Sequence, residues 1–496
     1  MTRDARFIAA IFVLCALRLI AGAVLPLSSD EAYYWLWSRH LAAGYFDHPP
    51  LIAFVIRAGT ALFGNTSLGV RAGGILLSFV ASWFVWRTGA ALARDEKVGA
   101  LGCLLFNLTL MATVEMVAAT PDAPSIAAAA AFFWTLAKIA QNGDARWWLV
   151  AGVAAGLTLL AKYTGFFLGV GTLVWLLASP PQRRRLATPW PYLGACVALI
   201  LFAPNLWWNA SHGWATFVFQ FGRIEAEHFT LRYLLEFIGA QAVLAGPFIL
   251  VLGAMGLGRA TRARGEPAAL IAAMLWPSIA YFAWHSLHAR VQGNWPSFLY
   301  PLFCVAAAMA MRRTDWSGWR ALLARWSSRL AIPFGALLLG AALAQALLGI
   351  VPLGRADPLA RLLAVGLPQV TAKIEVLRRT EQAGATEQAS TLVTTDYASA
   401  AWLAFYAPGH PAIVDIGEDY RWTDAPHPTA ALFASPALYV CELRKERRDL
   451  LAAHFAKVAE IARIDRDRET VPIAHYIIYR VFGPKGAPAG RIVNAN

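Results

Sequence analysis

The sequence predicts a polytopic α-helical membrane protein that ends in a small extracytoplasmic α/β domain. Hydrophobic residues make up 58% of the 496-residue chain, a share well above that of soluble domains. About eleven apolar segments are long enough, or nearly long enough, to span a bilayer. Charged residues become frequent only from about residue 352. These observations divide the chain into a transmembrane region, 1–351, and a small α/β domain, 352–496.

The apolar segments follow one another through short connections. Arg3 and Arg6 precede the first segment, but no small-residue cleavage site follows it, so we expect a retained helix rather than a removed signal peptide. The predicted segments are 7–27, 68–93, 97–118, 122–141, 146–161, 163–179, 190–209, 233–257, 267–287, 296–311 and 329–351.

Basic residues cluster in alternate connections, for example "PPQRRR" and "GRATRARG". The positive-inside rule places these connections in the cytoplasm, and eleven spans then place the tail on the opposite side of the membrane. The region before residue 352 carries a net charge of +12 and the tail +1, so the positive charge reflects topology. No recognition motif indicates a nucleic-acid partner.

The tail alternates short β-type runs ("STLVTTDY", "PAIVDI", "ALYVCEL") with helical patterns such as "LARLLAVGLPQVTAKIEVLRRT" and "RRDLLAAHFAKVAEIA". This alternation is typical of a small α/β domain. Four cysteines lie in apolar segments and Cys441 stands alone in the tail. The pattern argues against a disulfide framework or a cysteine zinc site.

The same topology collects the outward connections, which we predict at 28–67, 118–124, 161–165, 209–232 and 284–296. They hold nearly all of the unusual polar residues of the membrane region. Ionisable groups near a bilayer are costly and are usually kept for function. The sequence therefore predicts a site at the outer surface of the membrane.

The first outward stretch, "SSDEAYYWLWSRHLAAGYFDHPP", has two interpretations. Ser28 followed by Glu31 fits a capping box, with Asp30 in the first helical turn and the aromatic residues in an interfacial belt. That interpretation does not explain "YFDHPP", in which two prolines hold Asp47 and His48 in an extended segment. We therefore include Asp30, Glu31, Asp47 and His48 among the candidate site residues.

Other candidates lie at segment ends. Asp122 in "ATPDAPS" either starts a helix or belongs to the site, and Lys162 in "LLAKYTGF" either extends to the interface as a snorkelling lysine or binds an anion. The loop "WHSLHARVQGNWP" adds four further candidates, and pairing with phosphate explains their crowding better than solvation does. These four are His285, His288, Arg290 and Asn294.

An outward site has no access to cytoplasmic nucleotide sugars. A sugar on polyprenyl phosphate reaches such a site from within the bilayer, with its phosphate at the interface. Displacement at the anomeric carbon needs a base for the acceptor hydroxyl and cations for the departing phosphate. The loop carboxylates together with Lys162, His288 and Arg290 could supply both.

The motifs "SSDEAYYWLWSRHLAAGYFDHPPLIAF", "ATPDAP", "LAKYTG", "WWNASHGWATFVFQ" and "VQGNWP" resemble, in this order, those of the GT-C glycosyltransferases. The similarity is to bacterial relatives of protein O-mannosyltransferases and of the aminoarabinose transferase acting on lipid A. The resemblance implies that Asp30 is the catalytic base of an inverting transfer, that Asp122 is a second essential carboxylate, and that basic loop residues hold the lipid phosphate. The tail also resembles the family's periplasmic domain.

The chain departs from the family at two places. Gln292 and Gly293 stand before "NWP", where relatives often have an acid, and Asp47-His48 replaces an acid followed by lysine. No cofactor is predicted with certainty, and a divalent metal ion at Asp47 with His48 or His285 is left open. The predicted partners are a polyprenyl-phosphate sugar, membrane lipids, and an acceptor among lipid A or its core, another glycan, or an exported protein. A lipid-linked sugar flippase, which breaks no bond, is the alternative function.

Overall fold

The computed structural model describes residues 3–222, 229–382 and 391–494. The chain forms two compact units. The first contains Met1–Ala23 and Asp47–Ala342, and the second contains Val24–Phe46 and Leu343–Asn496. The second unit therefore includes the stretch around Asp30, which the sequence pattern groups with the transmembrane region.

The first unit is helical. Its described helices, numbered along the whole chain, are α1 (Arg3–Val24), α3 (Leu51–Phe63), α4 (Ser67–Ala93), α5 (Glu96–Asn107), α6 (Leu110–Val117), α7 (Asp122–Asn142), α8 (Trp147–Ala161), α9 (Phe166–Ala178), α10 (Pro180–Arg183), α11 (Trp190–Ser211), α12 (Ala215–Gly222), α13 (Arg232–Ala245), α14 (Pro247–Arg262), α15 (Glu266–His285), α16 (Tyr300–Met311) and α17 (Gly318–Leu348), whose last turns belong to the second unit.

Within the described residues, five helices are long and apolar enough to cross a membrane, and the number reaches eight if each of three bent helix pairs forms one span. Four shorter apolar helices, Ile11–Val24, Leu51–Phe63, Trp147–Ala161 and Ser297–Met311, add to these. The polytopic helical fold class is confirmed, while the count of eleven stays a prediction. The predicted outward connection 28–67 contains two helices, Ser29–Arg39 and Leu51–Phe63, and its location outside the cytoplasm stays a prediction.

Two segments that hydropathy predicts as continuous are broken. Predicted segment 97–118 bends by 66° between α5 and α6, and predicted segment 233–257 bends by 105° between α13 and α14. At the first break, the Thr109 side chain caps α6 by accepting a hydrogen bond from the Ala112 N–H. At the second, Gly246 has φ +80° and Pro247 begins the next helix. Apolar composition does not report such breaks, because capping and turn residues cause them.

Close helix packing sets where the helix ends lie in the first unit. A Cβ atom at Gly152 of α8 would overlap the backbone carbonyl of Gly194 in α11, so only glycine allows this approach. Helix α7 is buried along most of its length, with Phe133, Leu136 and Ile139 in the core. These contacts fix the position of α7 and α8 relative to their neighbours.

The second unit contains a six-stranded sheet of order β4-β5-β3-β1-β2-β6. Strands β1, β2 and β3 run parallel, and the others pair antiparallel. The strands are β1 (Leu392–Thr394), β2 (Ile413–Asp415), β3 (Ala437–Glu442), β4 (Phe455–Arg468), β5 (Val471–Pro484) and β6 (Arg491–Ile492). The helices are α2 (Ser29–Arg39), α18 (Pro358–Leu362), α19 (Leu367–Gln382), α20 (Tyr397–Tyr406) and α21 (Arg448–His454).

The three predicted β-type runs are confirmed as β1, β2 and β3, and the small α/β domain is confirmed with them. The predicted helix over "RRDLLAAHFAKVAEIA" is wrong in its second half. Helix α21 ends at His454, and Phe455 starts a long strand that pairs with β5. The local pattern of residues 455–462 fits a helix or a strand. Pairing with β5, whose partner residues lie sixteen or more positions further along the chain, makes it a strand.

Candidate functional site

Asp122 is the centre of a buried polar network in the first unit. It begins α7 after Pro121, and it is 2% exposed. Lys162 Nζ lies 2.9 Å from Asp122 Oδ1 and 3.0 Å from Oδ2. The Asn294 side-chain amide donates to Oδ2 at 2.9 Å, and the Ser297 hydroxyl donates to Oδ1. Residues from three separate segments therefore meet at one carboxylate.

The helix ends explain how these side chains meet. Lys162 directly follows α8 and has an extended backbone (φ −155°, ψ 137°), which turns its side chain away from the helix. A snorkelling lysine keeps its ammonium in water, whereas Lys162 is only 7% exposed. Asn294 and Ser297 lie in the turn before α16, where the Ser297 N–H donates to the Asn294 carbonyl. The sequence predicts Asp122, Lys162 and Asn294 as candidates, and the structure brings them together.

The network determines what Asp122 can do chemically. Its two oxygens already accept four hydrogen bonds, three of them from Lys162 and Asn294. A carboxylate has about four acceptor sites, so these bonds leave little room for a further donor. Its chemistry is to hold the Lys162 ammonium and the turn at Asn294 in fixed positions inside a low-dielectric site.

Three residues that the sequence pattern does not single out support this network. Ser297 binds Asp122 directly. The Thr120 hydroxyl donates to Glu115 Oε2 at 3.0 Å and accepts from the Asp122 N–H at 3.3 Å. Glu115 is 8% exposed. A glutamate inside the apolar run "LMATVEMV" is the signal that could have revealed it, because intramembrane carboxylates are rare.

The end of α15 and the loop that follows it place the other three candidates of this stretch in different environments. Arg290 pairs with Glu236 of α13, with Nε 2.9 Å from Oε2, and both side chains are more than one third exposed. His288 is bonded through Nδ1 to the Trp284 carbonyl at 3.0 Å. His285 is 1% exposed, and its Nε2 has no hydrogen-bond partner among the described residues. In the structure, Lys162 pairs with Asp122 and Arg290 pairs with Glu236. That both cations contact the same lipid phosphate stays a prediction.

Asp47 and His48 lie at the start of the first unit's second segment. Asp47 is 8% exposed, and its backbone carbonyl accepts a hydrogen bond from Gln220 Nε2 at 2.6 Å. His48 is partly exposed. Within the described ranges, no three His, Cys, Asp or Glu side chains are grouped to hold a metal ion. The divalent metal considered for Asp47 with His48 or His285 therefore stays a prediction.

Asp30 and Glu31 belong to the second unit and have different environments. Glu31 is 1% exposed and completes the predicted capping box, since Glu31 Oε2 accepts from the Ser28 N–H at 2.8 Å and Ser28 Oγ accepts from the Glu31 N–H at 3.2 Å. Asp30 is partly exposed, and its Oδ1 accepts a hydrogen bond from the Tyr397 hydroxyl at 2.9 Å. The neighbouring carboxylates thus separate into one that caps a helix and one that is directed to a tyrosine.

An apolar groove of about 580 Å³ runs through the first unit. Gln241 and Tyr300 line it near the outward loop, since Gln241 donates to the Gly293 carbonyl and accepts from the Tyr300 hydroxyl. Along α14 the lining extends from Leu250 to Arg262, which is about 18 Å of helix. The remaining lining is mostly aliphatic and aromatic, including Phe237, Leu257, Trp276, Phe282, Leu299 and Phe303. A single extended hydrocarbon chain fits a groove of this length and character.

Comparison with known proteins agrees with this architecture. Residues 47–208 match the family model described as dolichyl-phosphate-mannose-protein mannosyltransferase. Two curated relatives come from Rhizobium johnstonii. The lipid A galacturonosyltransferase RgtD is 29% identical over 55% of this chain and 58% of its own length. The lipopolysaccharide core galacturonosyltransferase RgtA is 28% identical over 40% of each chain. The matched part spans about half the length of these relatives.

A solved structure extends the comparison to nearly the whole chain. ArnT from Cupriavidus metallidurans, in a crystal structure bound to undecaprenyl phosphate, superposes with a TM-score of 0.65 at 15% identity. The match covers 98% of this chain and 100% of that one. The fold described above, with helices first and a small sheet domain last, is therefore the fold of that protein.

Proposed function

We propose that this chain, which belongs to the GT-C superfamily of glycosyltransferases, transfers a sugar from a polyprenyl-phosphate donor to a lipid A or core glycan acceptor. The transfer inverts the anomeric centre and takes place on the periplasmic side of the bacterial inner membrane. The basic residues in alternate connections support this orientation, because they mark the cytoplasmic side.

The observation that carries the proposal is the junction of the apolar groove with the buried Asp122 network. Both use the same short segment: Pro296 and Leu299 line the groove, while Asn294 and Ser297 bind Asp122. A polyprenyl phosphate combines a long hydrocarbon chain with an anionic head group. The groove suits the hydrocarbon chain, and the Lys162 ammonium suits the phosphate.

In the proposed reaction, the oxygen of an acceptor hydroxyl attacks the anomeric carbon of the donor sugar. The bond from that carbon to the phosphate oxygen breaks, and the polyprenyl phosphate leaves with the electron pair. The hydroxyl proton passes to the Asp30 carboxylate, which acts as the general base. The ammonium of Lys162 stabilises the negative charge that develops on the phosphate, with His285, His288 and Arg290 as further candidates for that contact.

The relatives suggest the sugar and the acceptor. Two of them act, by name, as galacturonosyltransferases on lipid A and on the lipopolysaccharide core. We therefore expect a uronic acid on polyprenyl phosphate as donor, and lipid A or its core as acceptor. Other envelope glycans and exported proteins are acceptors to be compared in the same assay.

The deciding experiment uses purified full-length protein in liposomes with radiolabelled polyprenyl-phosphate sugars. Transfer of label to lipid A, with release of polyprenyl phosphate in equal amount, is the expected result. Donors carrying galacturonic acid, aminoarabinose and mannose are compared to define the sugar. Lipid movement between leaflets without release of polyprenyl phosphate would instead establish a flippase and overturn the proposal.

A further inference from the structure

Tyr397 directs its hydroxyl at the carboxylate of Asp30. The hydroxyl oxygen lies 2.9 Å from Asp30 Oδ1, although 367 residues separate the two in sequence. Both belong to the second unit. A phenol at this distance donates a hydrogen bond, which fixes the direction of the carboxylate.

Tyr397 is itself held from several sides. Asp396 caps the start of α20 through its side chain, so the helix begins at a defined residue. The Tyr397 N–H donates to Glu418 Oε2 at 2.8 Å. Its ring centre lies 5.1 Å from that of Tyr33, and the Arg421 guanidinium lies 4.4 Å from it on one face. Since ring and backbone are both fixed, the hydroxyl has little freedom to turn away.

The location in the sheet also favours a functional contact. Strand β1 leads directly into Asp396 and Tyr397, and β2 leads into Glu418 and Arg421. Strand β1 lies between β2 and β3 in the sheet. The chain passes from β1 through α20 to β2 on one side, and the next strand, β3, lies on the other side of β1. Open α/β sheets bind ligands outside the carboxyl ends of parallel strands at such a switch point. Asp30 is therefore held where this kind of sheet receives a ligand.

We propose that Tyr397 is a positioning residue for Asp30 in sugar transfer, so that the C-terminal part of the chain orients the base. This inference rests on the proposed function, because it takes Asp30 as the acceptor of the hydroxyl proton. Tyr397 donates to Oδ1 and keeps its own proton throughout. Fixing Oδ1 sets the direction in which Oδ2 points, and a base must point at the proton it removes.

Charged groups near this pair make contacts that do not use the Tyr397 hydroxyl. Glu31 on the same helix as Asp30 is tied to Ser28 in the capping box. Glu418 and Arg421 approach Tyr397 from the segment after β2, and they lie 3.5 Å apart as an ion pair. Tyr397→Phe keeps the ring that contacts Arg421, so it deletes one hydrogen bond without changing a charge.

The test measures transfer by the purified full-length protein in liposomes with a radiolabelled polyprenyl-phosphate sugar. Tyr397→Phe should lower kcat about 10- to 100-fold, as expected for a lost hydrogen bond to a charged group. The KM for the donor should not change. The acidic limb of the pH–rate profile should move to higher pH, because the ionised base loses a donor. Tyr420→Phe is the matched control, since that hydroxyl donates to Glu418.

A double-mutant cycle separates positioning from a structural role. In an Asp30→Asn background, Tyr397→Phe should have no further effect on kcat, because the base it positions is gone. Additive losses would overturn the proposal, as would a wild-type kcat and pH profile in Tyr397→Phe. We expect each variant to unfold within about 2 °C of the wild-type temperature. A lower unfolding temperature of Tyr397→Phe together with an unchanged pH–rate profile would also overturn the proposal. Failure of the wild-type protein to release polyprenyl phosphate from any donor would overturn the proposed function itself.

Discussion

Lys162 and Asp122 form a buried ion pair between the end of α8 and the start of α7. The ammonium lies 2.9 and 3.0 Å from the two carboxylate oxygens, with 8% and 3% of the respective side chains exposed. Two charges removed from water in this way depend on each other, because neither is stable alone in a low-dielectric site.

Removing one member of this pair should cost more than removing both. Lys162→Met or Asp122→Asn alone should lower the free energy of unfolding by about 3–5 kcal/mol, since each leaves a buried polar or charged group without its partner. The double variant should recover part of that loss. Thermal unfolding in detergent measures all three, and equal stability of the single variants and the wild type would contradict the buried pair.

The same lysine should matter for donor binding. Lys162→Met should weaken binding of a polyprenyl phosphate more than binding of the acceptor, because only the donor brings a phosphate to the network. Glu236→Gln provides a control in the same unit: its ion pairs with Arg232 and Arg290 are exposed, and exposed pairs contribute only about 0–1 kcal/mol to stability. Donor affinity, measured by titration, should separate the two variants.

Asp30 and Glu31 should respond differently to loss of charge. Asp30→Asn keeps the size of the side chain but cannot accept a proton, so turnover should fall about 10²- to 10⁴-fold while donor binding survives. Glu31→Gln weakens the capping box, so it should lower stability by about 1 kcal/mol and change kcat little. Near-wild-type turnover in a folded Asp30→Asn protein would move the search for the base to Asp47.

Blocking the apolar groove should discriminate donors by chain length. Ala254 lines the groove on α14, and Ala254→Trp would fill part of the space that a long prenyl chain needs. The KM for a C55 donor should rise about tenfold or more, while the KM for a C10 donor should stay near the wild-type value. Leu235→Trp is the control, because Leu235 is exposed on α13 and lies outside the groove lining. Equal effects on both donors would exclude the groove as the site for the chain.

The second unit should lose stability as the pH rises through weakly acidic values. Burial raises the pKa of the Asp415 carboxyl from 3.8 to about 6, although Trp422 and two backbone N–H groups donate to it. A raised folded-state pKa means that the native state binds more protons than the unfolded state between pH 4 and 6. The contribution of Asp415 to the free energy of unfolding should therefore be greatest below about pH 4 and should fall by about 3 kcal/mol by pH 7. Tryptophan fluorescence during unfolding at pH 4–8 measures this, and Asp415→Asn should flatten the dependence.

Much of the candidate site was predictable from the sequence, because charge at the end of an apolar segment is unusual. Asp122, Lys162 and Asn294 each stand out in that way, and they meet in one network. Ser297 does not stand out, since a serine after proline is common in any turn. The contact between Asp30 and Tyr397 could not be predicted either, because packing of the folded unit brings together two residues 367 positions apart.

Some elements of the fold were likewise predictable from the sequence, and others were not. Hydrophobic runs predicted β1, β2 and β3, because buried parallel strands are short and apolar. The break between α5 and α6 depends on the Thr109 cap, and the strand β4 depends on pairing with β5. The mean hydropathy of a segment gives no information about a capping side chain or about a partner strand elsewhere in the chain.

The discontinuity of the second unit has a consequence for how the protein is made. Val24–Phe46 leaves the ribosome about 300 residues before Leu343, the start of the remainder of its unit. At about 5–20 residues per second, this segment waits on the order of 15–60 s for the rest of its unit to begin. That remainder contains α20 and Trp422, which pack against α2. During that interval Tyr33, Tyr34, Trp35 and Trp37, all buried in the finished unit, need another apolar environment. A chain that stops before residue 343 lacks the part of the unit that buries these four side chains. We therefore expect quality-control proteases to degrade truncated products, so that no partly active enzyme accumulates.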